Sequence, residues 1–88
     1  GLTMELCIHF DALPEGLDLL GLRTELADVL EEDGWLTGSG PNFLELELED
    51  ERVNPKYGIL AVKNYLQQRK FAPETTIELA GTPVGIYE

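Results

Sequence analysis

The chain has 88 residues and a formal net charge of −11, with 17 acidic side chains against 6 basic ones. This length predicts one domain over residues 1–88, and apolar residues are plentiful enough to give it a core. The negative charge argues against direct binding to nucleic acid or to an anionic membrane surface, because phosphate groups attract positively charged proteins.

The charge is distributed unevenly along the chain. Residues 1–51 carry fourteen acidic side chains and one basic side chain, whereas residues 52–88 carry three acidic and five basic ones. The electrostatic field of such a negative region favours a basic protein partner, since the field raises the association rate and the selectivity of binding. The alternative is that the acidity only keeps the protein in solution.

The cellular location is predicted from what the sequence lacks. It has no apolar run long enough to span a bilayer and no secretory signal pattern. The single cysteine, Cys7, cannot form an internal disulfide, so we expect a reducing, cytoplasmic location. Gly1 stands where an initiator methionine is expected, and both a tag remnant and a removed leader would explain it.

The first two predicted elements are a strand and a helix. Apolar residues alternate with other residues over residues 4–11, which predicts a strand. Apolar residues then recur at helical spacing and predict a helix over residues 18–33. Asp18 is the expected N-cap or first-turn acid of this helix, and Gly34 is its expected stop.

The clearest pattern lies in the middle of the chain, where leucine alternates with glutamate over residues 43–50. A strand sends successive side chains to opposite faces, so the leucines would meet a core and the acids would meet water. Residues 35–37 predict a short strand at the sheet edge, and the glycine-containing residues 38–42 predict the turn between the two strands.

The last third of the chain predicts a helix followed by strands. Asn54 suits the N-cap and Pro55 the first helical position, and the helix is expected to end near Lys70. Residues 75–79 predict a last full strand. Residues 84–87 predict a short fifth strand or a tail.

This order of elements predicts an α+β fold with the ferredoxin-like βαββαβ architecture, in which a four-stranded antiparallel sheet carries two helices on one face. The first and third strands would be central neighbours, and the fourth would flank the first. The leucine face would pack on the helices, and the opposite face would carry Glu5, Cys7, His9, Glu45, Glu47, Glu49, Thr76 and Glu78. Carboxylates on adjacent strands repel each other unless water or a cationic group screens them.

The polar groups of this face also admit other chemistry. His9 could neighbour Glu45 or Glu47, and imidazole with carboxylates can hold Zn or Mn, but without a compact ligand motif we favour a half-exposed histidine paired with a carboxylate. We expect Cys7 to be a small, partly covered side chain rather than a ligand or nucleophile. Exposed carboxylates on an open sheet have little catalytic leverage. Residues 38–40 lack the lysine and the following helix of a phosphate-binding loop.

Phe43 is the aromatic residue of most interest, because strand parity places it with the glutamates. An exposed phenylalanine beside acids would fit a partner-binding patch. In the alternative, the terminal segment around Ile86 and Tyr87 covers it.

Several features over residues 19–87 resemble a group of small bacterial α+β proteins encoded beside polymorphic toxins. The features that carry this resemblance are a leucine-rich helix, the segment from Gly34 through Gly38-Ser39-Gly40, the alternating strand, a helix with the spacing from Leu66 to Pro73, the segment Thr75-Thr76-Ile77-Glu78 and the ending Tyr87-Glu88. The resemblance implies an immunity role, or another interaction role without catalysis. It assigns no functional residue.

We therefore expect a non-enzymatic bacterial protein, monomer or homodimer, that occludes a basic protein partner such as a toxin and needs no cofactor or metal. The first candidate surface, here called the acidic sheet face, comprises Glu5, Phe43, Glu45, Glu47, Glu49 and Glu78. The second, here called the helix surface, comprises Glu25, Asp28, Glu31 and Glu32. The alternative function is a small-molecule- or metal-sensing regulatory module that dimerises through sheet edges. An enzyme ranks third, because the sequence shows no nucleophile–base pair and no Gly-rich cofactor loop.

Overall fold

The secondary structure follows the predicted order of elements. The computed structural model describes residues 3–31, 34–49, 55–79 and 81–87. Its elements are β1 (Thr3–His9), α1 (Leu19–Leu30), β2 (Gly34–Gly40), β3 (Phe43–Glu49), α2 (Pro55–Gln68), β4 (Thr76–Leu79) and β5 (Thr82–Gly85). The fold is α+β, as predicted.

All of these strands pair antiparallel in one sheet with the order β2-β3-β1-β4-β5. β1 lies between β3 and β4, which confirms the predicted central pairing of the first and third strands. The sheet differs from the four-stranded prediction in strand count and order, because β5 pairs with β4 and forms an outer edge. β5 begins at Thr82, two residues before the segment 84–87 that predicts a short strand or a tail.

One apolar core joins the sheet to both helices. The strands bury Leu6, Ile8, Leu44, Leu46, Leu48 and Ile77. The helices bury Leu22, Leu26, Leu30, Val62, Tyr65 and Leu66 against them. Because both helices share this cluster, they lie on the same face of the sheet. No described residue covers the opposite face with a second layer.

Helix α1 begins where the sequence predicts and ends earlier. Asp18 is its N-cap, and the side-chain Oδ1 accepts a hydrogen bond of 2.7 Å from the backbone N–H of Gly21. The helix ends at Leu30 because Glu31 adopts a φ of 52°, which is incompatible with continued helix. Gly34, predicted as the helix stop, opens β2 instead.

Helix α2 ends in a Schellman motif before the predicted Lys70. Lys70 takes a φ of 62°, and its N–H donates to the carbonyl of Gln67. The N–H of Phe71 donates to the carbonyl of Leu66, and both of these side chains are buried. The predicted N-cap, Asn54, lies outside the described residues.

β2 departs furthest from the prediction. The strand covers Gly34–Gly40, a β-bulge falls at Thr37, and the turn shrinks to residues 41–42. A side chain at Gly40 would collide with the ring of Phe43 on the neighbouring strand. Glycine therefore permits a close cross-strand approach here, and a stretch that is typical of a turn pairs as a strand.

Candidate functional site

The uncovered face of the sheet carries the acidic side chains that the sequence predicts for it. Alternate residues of β1, β3 and β4 point away from the core: Glu5, Cys7, His9, Phe43, Glu45, Glu47, Glu49, Thr76 and Glu78. All of them are exposed or half-buried, whereas the apolar side chains between them in β1 and β3 are largely buried. The prediction of an extended segment with one acidic face is confirmed.

Trp35 of β2 also lies on this face, which the sequence did not predict. Trp35 is opposite Glu47, which in turn is opposite Glu5, so the three form one row across β2, β3 and β1. The Trp35 residue is 41% exposed. Two carboxylates directly opposite each other destabilise a sheet, so this row combines an exposed aromatic ring with an unfavourable charge pair.

Cys7 lies at the centre of the next row, opposite Glu45 on one side and Glu78 on the other. Burial raises the pKa of the Cys7 thiol, and the Glu45 and Glu78 carboxylates raise it further. The thiol therefore stays protonated and is a poor nucleophile. The prediction of a partly covered side chain is confirmed, since Cys7 is half-buried.

His9 is half-exposed and pairs with a carboxylate, that of Glu78, which confirms the interpretation that the sequence favoured. Its Nε2 lies 3.4 Å from Oε1 of Glu78, and both side chains are substantially exposed. The residues directly opposite His9 are Phe43 and Thr76, so the predicted placement beside Glu45 or Glu47 is wrong. Within the described part of the chain, no group of three or more His, Cys, Asp or Glu side chains is arranged to hold a metal ion.

Phe43 is half-buried by its own hairpin. Its ring lies against Gly40 of β2, in space that any other residue would fill. The terminal segment is held elsewhere: Ile86 is in the core, and the Tyr87 hydroxyl donates to the carbonyl of Phe71. Phe43 is therefore a half-buried ring beside the glutamates rather than a fully exposed patch.

One residue of the helix surface, Glu25, takes part in a contact within the protein, whereas the other described residues of this surface are exposed. Oε1 of Glu25 accepts a hydrogen bond of 2.6 Å from the Tyr65 hydroxyl and lies 3.2 Å from Nε of Arg69. The Glu25 carboxylate is thus engaged in holding α1 to α2. Asp28 and Glu31 are exposed, and Glu32 lies outside the described residues.

Comparisons with known proteins assign no family to this chain. No family model, no curated protein and no solved structure matched it. Among the residues that the structure describes, no helix has the length and apolar character needed to cross a membrane. The arrangement that remains is an open array of carboxylates with aromatic rings at its β2 side, which suits the binding of cationic groups.

Proposed function

We propose that this chain is a non-enzymatic binding protein whose acidic sheet face occludes a basic protein partner, as immunity and inhibitor proteins do. The observation that carries the proposal is the clustering of Glu5, Glu45, Glu47 and Glu78 on one uncovered sheet face. In the same proposal the fold is a ferredoxin-like scaffold extended by β5, and the protein acts in the bacterial cytoplasm.

The arrangement of the charges supports a binding role over a role in solubility alone. Glu47 stands opposite Glu5, and Glu45 and Glu78 stand on either side of Cys7. Carboxylates directly opposite each other, as those of Glu47 and Glu5 are, repel each other across the strands. Charges dispersed over loops would keep the protein in solution without this repulsion. Lysine or arginine side chains of a partner would relieve the repulsion on docking, so binding would stabilise the face.

The proposed mechanism is steric occlusion guided by charge. The field of the acidic face would accelerate encounter with a basic surface and disfavour acidic competitors. Trp35 and the half-buried Phe43 would supply apolar area at the contact, since aromatic side chains carry much of the energy of protein interfaces. The helix surface is the weaker candidate, because Glu25 is already paired with Tyr65 and Arg69.

The test is affinity capture from an extract of the organism that encodes the chain. The immobilised wild-type protein is compared with the double variant Glu45→Lys/Glu47→Lys at low and at high ionic strength. We expect a basic protein to be retained by the wild type at low ionic strength, because salt screens exposed charges. The same protein should be lost from the double variant.

A matched control separates a specific face from general acidity. Glu15 and Glu74 are exposed residues that lie in loops outside the sheet. The variant Glu15→Lys/Glu74→Lys changes the net charge by the same amount, and circular dichroism verifies that both variants fold. The proposal predicts that the control retains the partner. Equal loss from both variants, or retention by both, would contradict the assignment of the acidic sheet face.

A further inference from the structure

The two outer strands of the sheet differ in how well they resist pairing with another chain. β5 is four residues long and contains Pro83, which has no N–H to offer. β2 covers seven residues, Gly34–Gly40, with no proline and no charged side chain. Its outer edge pairs with no described residue. The sequence predicted a three-residue strand at this position, so the length of the exposed edge is a finding of the structure.

Different kinds of side chain line the two sides of the sheet at the β2 edge. On the acidic sheet face, Trp35 is 41% exposed beside Glu47. On the helix side, a shallow groove of about 400 Å³ runs between α1 and β2. Its apolar lining includes Leu20, which is 71% exposed, and Leu36. Arg23 and Asp28, of opposite charge, also line this groove.

The negative charge near the β2 edge indicates which kind of chain would bind there. A second copy of the chain would bring its own Glu45 and Glu47 toward those already present, and each copy carries a net charge of −11. Like charges disfavour that pairing. A basic segment of another protein would lie beside β2, two strand spacings or about 10 Å from β3. Its long lysine and arginine side chains would extend across β2 toward Glu45 and Glu47, which carry the opposite charge.

We propose that the outer edge of β2 accepts an extended basic segment of the partner as an additional strand of the sheet. The inference rests on the proposed function and names its binding mode. Because side chains alternate along a strand, one set of the segment's side chains would lie over the acidic face beside Trp35, and the other set would enter the groove between α1 and β2. The segment recognised would therefore alternate basic with apolar residues.

The bulge at Thr37 limits where the segment pairs. It divides the edge into Gly34–Leu36 and Gly38–Gly40, and it disrupts regular pairing between them. Trp35 and Leu36 both belong to the first stretch, and Leu36 lines the groove. The docked strand should therefore be centred on Gly34–Leu36.

The first experiment measures binding of synthetic peptides through Trp35, the only tryptophan in the chain. The probe is a peptide in which lysine and valine alternate. One control has the same residues in two blocks, and another has methylated backbone nitrogens along one edge. We expect the alternating peptide to change the tryptophan fluorescence and to bind about tenfold more tightly than either control. It should also slow hydrogen exchange of the Gly34–Leu36 amides, as a new strand would.

The second experiment uses a matched pair of exposed leucines. Leu20 lines the groove, whereas Leu60 is 50% exposed on α2 and does not line it. Leu20→Lys should weaken binding of the alternating peptide about tenfold, and Leu60→Lys should leave it near the wild-type value.

The outcomes separate this inference from the proposed function. If the blocked peptide binds as tightly as the alternating one, or if Leu20→Lys has no greater effect than Leu60→Lys, strand addition at β2 is wrong while charge-guided docking stands. If no lysine-containing peptide binds, or if Glu45→Lys/Glu47→Lys leaves binding unchanged, the acidic sheet face is wrong as well.

Discussion

At the scale of single residues, Glu25 is an acidic side chain that the sequence pattern assigns to the protein surface. In the structure it contacts Tyr65 and Arg69 and so stabilises the packing of α1 on α2. Glu25 falls on the polar side of its helix, so helical periodicity places it with Asp28 and Glu31. The structure brings the Tyr65 hydroxyl to within 2.6 Å of its carboxylate, across the packing of α1 on α2. Helical periodicity indicates which face of a helix a residue lies on, but not which side chain of a second helix it contacts. This pairing therefore could not be predicted from the sequence.

Tyr65→Phe tests this contact. The variant removes a hydrogen bond to a charged acceptor, and we expect a loss of about 1–2 kcal/mol in the free energy of unfolding at neutral pH, measured by urea denaturation. Arg69 remains beside Glu25 and limits the loss.

The same variant has a signature in its pH dependence. Burial and the hydrogen bond to Glu25 raise the pKa of Tyr65 above its ordinary value of about 10. The folded protein thus keeps the phenolic proton where the unfolded chain loses it, so the stabilisation is complete below about pH 10 and declines as the pH rises further. The difference in stability between wild type and Tyr65→Phe should shrink above that pH. A difference that stays constant or grows would contradict the contact.

At the scale of elements, period-two alternation predicted β1 and β3 well because one face of each strand is buried. Element ends were predicted less well, since they depend on single backbone conformations. Glu31 and Lys70 end their helices at positive φ, where glycine or asparagine is usual, so the sequence contained no such signal. Gly38 and Gly40 pair within β2 because side chains of β3 occupy the space beside them.

Lys70→Gly tests the end of α2. Lys70 occupies the left-handed position of the Schellman motif, which is unfavourable for residues with a Cβ atom. Glycine removes that strain, and we expect the free energy of unfolding to rise by about 1 kcal/mol. The control is Gln68→Gly, the exposed last residue of α2 at a negative φ, which should not stabilise the protein. Stabilisation by both substitutions, or by neither, would contradict the motif.

At the scale of the whole molecule, the sequence predicted the membership of the acidic sheet face but not its surroundings. Parity along β1, β3 and β4 assigned the carboxylates to one face, and the register of the sheet places Glu5, Glu47 and Trp35 in one row. The long β2 edge and the groove beside α1 depend on how strands and helices come together in space. Part of the net charge of −11 is therefore concentrated on the sheet face that lies opposite the helices.

The most direct test of the acidic sheet face is an NMR titration of the labelled protein with a short lysine-only peptide, which reads charge complementarity without requiring the natural partner. The predicted result is a set of amide shifts concentrated on β1 and β3, around Glu5, Cys7, Glu45 and Glu47, that disappears in Glu45→Lys/Glu47→Lys and persists in Glu15→Lys/Glu74→Lys. Shifts centred on Asp28 and Glu31 of α1, or spread evenly over all acidic residues, would contradict the account.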